Sequence, residues 1–371
     1  MKDQYSPIFA LSRPTKSVPK LYAGAVIDSL SYCWVWGLNT TGNLGIGSIE
    51  NQTIPVLIDK KNFLSLSLYP GEQAHCAGID PNSYAWAWGS NSYGKLGINN
   101  TYSYWIPISI VGGKQWRTIS CGNSHCATID SNSYAWAWGA NGYGQCGDNS
   151  SIARSSPISA VGGKQWRNIK IGAYFTIALD SNSYAWGWGI GGYLGDNTLS
   201  NRSSPTSVVG GKQWREIAVG ESSSYGIDSN SYAWSWGSNS NGDLGDNTTN
   251  HRSSPISVIG GRQWIKISSC IGTILALDTN SYAWSWGFNG DGQFGDATTG
   301  VQRSSPISVA GGRQWIAIAS GNRSNFALDS NSFVWAWGYY NYIPTVNAPY
   351  PCNSPVKWSA KDPPTNPFGA R

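Results

Sequence analysis

Side-chain catalysis needs a nucleophile beside a base, a pair of carboxylates, or a cluster of metal ligands. This sequence supplies the residue types without the spacing. Its three histidines are His75, His125 and His251. The first two occupy one position of an internal repeat, where sister copies carry Phe175 or Asn325, so they read as packing or hydrogen-bonding residues. His251 lies in a loop of Ser, Thr and Asn and reads as solvated. Asp28, Asp80, Asp130, Asp180, Asp228, Asp278 and Asp329 each open a short polar turn, where a carboxylate accepts backbone N–H bonds. The loops Asp148-Asn149, Asp196-Asn197 and Asp246-Asn247 hold one carboxylate each, a poor cage for calcium, and read as loop-structuring. Seven cysteines show neither Cys-x-x-Cys nor a Cys/His zinc spacing. Cys33, Cys121 and Cys146 stand where sister copies have Ala85, Ile171 and Leu96, as small apolar fillers. A hairpin would bring Cys121 to Cys126, so a disulfide is the alternative to two reduced thiols. The expectation is a protein with no catalytic residues, no metal and no cofactor.

The other repeated chemistry is basic. Arg154, Arg202, Arg252 and Arg303 recur just before Ser-Ser-Pro, and Lys114, Lys164, Lys212, Arg262 and Arg313 recur in Gly-Gly-[Lys/Arg]-Gln-Trp. Repetition would array each set as an arc able to meet an acidic protein surface or a polyanionic glycan. The competing reading is a solvated loop charge whose stem covers an indole. Aromatic loop residues of the kind that anchor interfaces are Tyr93 and Tyr143, at equivalent positions, and the group Tyr102, Tyr104 and Trp105.

Composition bounds the setting. The chain has 371 residues, 40% hydrophobic and only 12% charged, with 45 Gly, 21 Trp and 20 Tyr, which excludes a disordered chain. No stretch approaches the roughly 18 consecutive apolar residues of a membrane span, so membrane insertion is not expected. Residues 1–20 have no apolar h-region, so no secretory signal peptide is expected. The net charge of +5, from 25 basic and 20 acidic residues, is too mild for a dedicated nucleic-acid binder.

The elements that must position these residues follow from a repeat. Trp-x-Trp-Gly occurs seven times, starting at Trp34, Trp86, Trp136, Trp186, Trp234, Trp284 and Trp335, about every 50 residues. One unit reads as four strands: Lys114–Cys121, His125–Ile129, Tyr134–Gly139, and an outer edge strand starting at Pro157, since proline cannot donate to a central ladder. There is no helical periodicity. Seven such units predict an all-β, seven-bladed propeller of four-stranded antiparallel blades over residues 21–358, with an N-terminal segment, 1–20, and a tail, 359–371. Alternation puts Tyr84, Trp86 and Trp88 on one sheet face and Ala85, Ala87 and Gly89 on the other, so each blade is expected to press its indoles on the alanine face of the next. Eight proline segments compete for seven outer strands. Either the Pro7 or the Pro355 segment would close the ring, leaving the other free to lie on the surface or pair with a partner.

The run Trp88-Gly89-Ser90-Asn91-Ser92-Tyr93-Gly94-Lys95-Leu96-Gly97, its counterpart Trp236 to Gly245, and Ser120-Cys121-Gly122-Asn123-Ser124-His125-Cys126-Ala127 resemble the regulator-of-chromosome-condensation repeat. The resemblance covers roughly residues 21 to 358 and implies the same seven-bladed propeller. The Arg-Ser-Ser-Pro form of the repeat looks more like a bacterial or phage-type branch. The seventh copy departs, reading Tyr339-Tyr340-Asn341-Tyr342-Ile343-Pro344 after Gly338.

Three functions are weighed. The first is a non-catalytic structural or attachment propeller within a larger assembly such as a virion (tail, fibre or capsid decoration), binding a protein, a surface glycan or its own copies. Assembly inside a cell would explain a surface-type composition without an export signal, and a cytoplasmic protein is the alternative location. The second, implied by the resemblance, is a guanine-nucleotide exchange factor for a small GTPase. The third is a secreted-type protein inhibitor.

Overall fold

The computed structural model describes residues 10–11, 24–27, 30–69, 74–270, 272–321, 323–331, 333–339 and 352–357. Twenty-eight strands form seven four-stranded antiparallel sheets, each from one contiguous stretch of chain. Blade 1 is Ala10–Leu11, Gly24–Ile27, Tyr32–Gly37 and Gln52–Asn62; blade 7 is Trp315–Ser320, Ser324–Asp329, Val334–Gly338 and Cys352–Lys357. Between them, blades 2 to 6 begin at Ser65, Trp116, Trp166, Trp214 and Trp264. The helical content among the described residues is a single 3-10 turn, Ser92–Gly94. Among the described residues no helix is long and apolar enough to cross a membrane.

Blade 3 shows the register. Trp116–Cys121 pairs with His125–Asp130, that strand with Ala135–Gly139, and that with Arg154–Ser159. The outer strand therefore starts at Arg154, three residues before Pro157. Its pairing slips between Ala137 and Gly139, so Ser155, Ser156 and Pro157 bulge opposite Trp138. A bulged edge strand is where a residue without an N–H costs no ladder bond.

Both termini find places in the ring. Cys352–Lys357, containing Pro355, is the outer strand of blade 7, and Ala10–Leu11 pairs with Gly24 and Ala25 as the innermost strand of blade 1. The segment around Pro7 lies outside the described residues. Among the described residues no strand is exchanged between first and last blades. They meet by packing, with Leu38 of blade 1 against the cluster around Trp315 and Trp337.

The second indole of each Trp-x-Trp pair is the core. Trp88, Trp138, Trp188, Trp236, Trp286 and Trp337 are all fully buried. Each enters the preceding blade, not the following one as the alternation suggests: Trp88 packs with Cys33, Val35 and Leu44, and Trp138 with Ala85, Ala87 and Leu96. Alternation defines two faces per sheet but not the direction in which the ring is wound. Trp88 donates to the carbonyl of Asn43 at 3.0 Å, Trp138 to that of Lys95 at 2.9 Å and Trp337 to that of Gln293 at 2.8 Å. In blades 4 and 5 the corresponding carbonyls accept from the hydroxyls of Thr176 and Ser224, and the indole N–H groups of Trp188 and Trp236 are buried without a partner.

Each indole edge is met by a left-handed glycine. At Gly147 (φ 72°) an added Cβ would stand 2.8 Å from Trp188 Nε1. Gly147→Ala combines a strained backbone with overpacking and is expected to cost about 2 kcal/mol, read as a lower urea midpoint at unchanged slope.

Candidate functional site

Antiparallel order sends two loop sets to each end of the propeller. The turns between second and third strands and the links between blades lie at one end. The loops between first and second and between third and fourth strands lie at the other. The repeats behave differently at the two ends.

At the first end the repeat is nearly constant. Asp130 Oδ1 accepts from the backbone N–H of Asn132 and Tyr134, and Oδ2 accepts from Trp136 Nε1, all at 2.9 Å. The same three bonds recur at Asp80, Asp180, Asp228, Asp278 and Asp329. Behind each indole lies a cation: Lys114 over Trp136 (4.1 Å), Lys164 over Trp186 (3.8 Å), Lys212 over Trp234 (3.5 Å), Arg262 over Trp284 (3.5 Å) and Arg313 over Trp335 (3.9 Å). This basic arc is therefore half-buried against rings, each contact contributing about 0.5–1 kcal/mol. The ring left open is another: Tyr32, Tyr84, Tyr134, Tyr184, Tyr232, Tyr282 and Phe333 are 40–43% exposed. Sequence reasoning missed them by assigning Tyr84 to the same face as the packed tryptophans. The signal was present, because a strand's first residue stands at the rim.

The second basic arc lies at the opposite end, so the two never form one surface. Arg154, Arg202 and Arg252 pair with Asp148, Asp196 and Asp246, whose carboxylates are buried. Asp148 also accepts from Asn141 Nδ2 and the Ser150 hydroxyl. Burial opposes its ionisation, but the bonds from Ser150, Arg154 and Asn141 win and hold its carboxyl below the usual range. The Gly-Asp-Asn loops are thus closed by their own hydrogen bonds. Arg303 is exposed. His251, read as solvated, accepts from the Asn239 N–H through Nδ1 at 2.9 Å.

Among the aromatic candidates, Tyr143 stacks edge-on against Tyr174 of the next blade (5.5 Å), whose hydroxyl accepts from Asn123 at 3.1 Å. Tyr93 is 62% exposed at the same end. Tyr102 is exposed, Tyr104 packs partly into the core, and Trp105 lies on the backbone of Gly42, outward on the rim.

At this second end the Asp–Arg loops between third and fourth strands recur in blades 3 to 5, and the copies differ in the loop between first and second strands. That loop carries Asn123-Ser124 in blade 3, Ala173-Tyr174 in blade 4, Glu221-Ser222 in blade 5 and Arg323 in blade 7, against an Asp-x-Asn-Ser turn that recurs in blades 2 to 7 at the other end. Between blades 5 and 6 these loops frame a cleft of about 330 Å³ lined by Glu221, Ser222, Asn241, Asp243, Phe288 and Arg323 among others. Gly272 opens it: an added Cβ would lie 3.2 Å from Asn241 Nδ2 and 3.4 Å from Asp243 Oδ1. Arg323 pairs with Asp291 at 3.3 Å on its margin. Asp243 is 5% exposed and its Oδ1 has no hydrogen-bond partner. Burial pushes its carboxyl up to about 7 against a smaller opposing pull from Asn241. An aromatic wall, an unsatisfied acceptor and a ring of hydroxyls can anchor a hydroxyl- or amine-bearing side chain.

The sign of the pH effect follows. Between the ordinary carboxyl value of 3.8 and about 7, the folded chain holds the Asp243 proton and the unfolded chain does not. This group therefore lowers stability as pH rises through that window and adds no further slope above it. Asp243→Asn is expected to remove that slope and to raise stability at pH 8 by roughly 1–3 kcal/mol, measured by urea unfolding from pH 4 to 8.

His125 Nε2 meets Thr176 Oγ1 at 3.1 Å, as a hydrogen-bonding residue, and the pairing register aligns Ser324, not Asn325, with it. His75 Nε2 instead meets Cys126 Sγ at 3.1 Å, with Cys121 beside it. Cys33, Cys76, Cys121, Cys126, Cys146 and Cys352 are free and buried.

Comparison with known proteins agrees with this architecture. The model "Regulator of chromosome condensation (RCC1) repeat" matches residues 32–68, 84–129, 134–179 and 282–328. The ultraviolet-B receptor UVR8 of Arabidopsis thaliana is 29% identical over 91 residues, 24% of this chain and only 20% of the receptor's length. Human WBSCR16 superposes with a TM-score of 0.76 at 17% identity, covering 88% of this chain and 93% of that one. Yeast RCC1 (Prp20), solved bound to Kap60, gives 0.74 at 18% identity, covering 88% and 83%. At such identities the structural likenesses show the fold alone. By four matched repeats and seven blades of one design, the chain is a propeller that carries regulator-of-chromosome-condensation (RCC1) repeats.

Proposed function

We propose that the chain is a non-catalytic binding propeller that recognises a protein partner with its variable end, the cleft between blades 5 and 6 serving as an anchor. The observation that carries this reading is a contrast between loop sets: recurring Asp–Trp–cation stacks in the turns and links of one end, and at the other end blade-specific loops between first and second strands beside a buried carboxyl with one unsatisfied oxygen. A scaffold role demands sameness from blade to blade, whereas recognition of an irregular protein surface demands difference. The yeast neighbour, solved with Kap60, is a protein-binding propeller of the same fold. Membership of a larger assembly such as a virion is the finer form of this reading, supported by the low charge and polar loops; exchange on a small GTPase is its rival within the family.

The exposed aromatic ring at the constant end favours a second reading, a repetitive ligand such as a glycan chain or further copies of this protein. Capture of partners from the natural source, using wild-type chain and variants at each end, separates the two. Loss of the same partner with Phe288→Ala and its retention with Tyr134→Ala supports the first reading; the reverse supports the second.

A further inference from the structure

We propose that His75, Cys121 and Cys126 form a binding site for one soft, thiophilic metal ion, Cu(I) or Zn(II), buried at the seam between blades 2 and 3. One ligand atom from each, the two Sγ atoms and a ring nitrogen, lie within 4.8 Å of one another, and all three residues are buried. Ligands bound to one such ion, with metal–sulfur distances of about 2.3 Å, stand about 3.5–4 Å apart, so small side-chain adjustments complete the site.

The site arises where several departures from the repeat coincide. The first residue of the second strand faces the second residue of the same strand in the next blade, as His125 faces Thr176 and His75 faces Cys126. Sister copies place Cys76, Thr176, Ser224, Ile274 or Asn325 at the Cys126 position, and all of these but Ile274 bond to a carbonyl of the preceding blade, whereas Cys126 meets His75. Cys121 is the direct cross-strand partner of Cys126, and sister copies carry Ile171 and Val219 there. Lys95, 1% exposed, replaces the Asn43, Gln145 and Gln293 of sister loops, and its charge acts on both cysteines. Binding releases one proton from each thiol and takes the imidazole lone pair. Two thiolates and a monovalent ion carry one net negative charge, which Lys95 offsets. Three donors satisfy Cu(I); Zn(II) would need a fourth.

No linear motif announces this site, because its ligands come from two blades, 46 residues or more apart on the His75 side. With every ligand buried, the ion enters as the chain folds. The test is expression of the full chain in medium supplemented with zinc or with copper, purification under reducing conditions, and elemental analysis. One ion per chain is expected, with the metal retained identifying it, and at least a tenfold loss in Cys126→Ser and Cys121→Ser but not in Cys352→Ser. Cobalt-supplemented wild-type chain should show a thiolate-to-cobalt charge-transfer band, a readout that survives if a variant fails to fold. Folded, reduced wild-type chain free of both zinc and copper, a cobalt form without that band, or folded Cys126→Ser that keeps its ion would overturn the proposal.

Discussion

Trp88→Ala is expected to destabilise the chain by about 3–5 kcal/mol, the range for removing a fully buried large aromatic side chain from a packed core. The indole of Trp88 is 0% exposed, lies 5.4 Å from the Phe63 ring and donates to the Asn43 carbonyl of blade 1. Removing it leaves a cavity between two blades and an edge of Gly45 facing empty space, since a Cβ at Gly45 would lie 2.7 Å from Trp88 Nε1. Trp88→Phe keeps much of the apolar contact and gives up the N–H bond, so a smaller loss of about 1–2 kcal/mol is expected. Urea unfolding measures both. Because stacked repeats depend on neighbour interfaces, the alanine variant should also broaden or split the transition as blades 1 and 2 uncouple from the rest. A loss below about 1 kcal/mol for Trp88→Ala would mean that the inserted indole is not what joins the blades.

Phe288→Ala is expected to weaken partner binding by tenfold or more, about 1.4 kcal/mol or above, while leaving the unfolding midpoint nearly unchanged. Phe288 is half-buried on the wall of the cleft rather than in an interblade cluster, and it follows the Trp286-Gly287 pair at a position that varies between copies: Leu38, Ser90, Ala140, Ile190, Ser238 and Tyr339 elsewhere. Asp243→Asn, which keeps an amide acceptor but loses the carboxylate charge, is expected to act in the same direction for a partner group that carries an amine. Tyr134→Ala and Lys164→Ala, at the constant end, should leave affinity within twofold. Titration of each variant with the captured partner checks this. Equal losses from both ends would mean that the contrast between them reports folding alone.

The seven blades were legible because the repeat length, the alternation and the Trp-x-Trp-Gly string all report one local geometry. The turn aspartates were legible for the same reason, although their bond to the first indole was not, since it links residues six apart across a hairpin. The direction of indole insertion depends on winding, which no single strand encodes. The basic arcs were visible as types and positions, but their partners, Asp148 for Arg154 and Trp186 for Lys164, appear only once loop and strand ends are placed. Least legible were the cleft at Gly272 and the His75–Cys121–Cys126 cluster. Both are assembled between blades, where sequence spacing carries no distance.

The central claim, recognition by the variable end, is tested most directly by cross-linking mass spectrometry of the chain in its native assembly. The account predicts links from the loops at residues 122–124, 172–174, 220–222 and 238–243 and around Phe288 and Arg323 to a single protein partner. Links concentrated instead on the Asp-x-Asn-Ser-Tyr turns and the Gly-Gly-[Lys/Arg]-Gln links would contradict it and assign recognition to the aromatic ring.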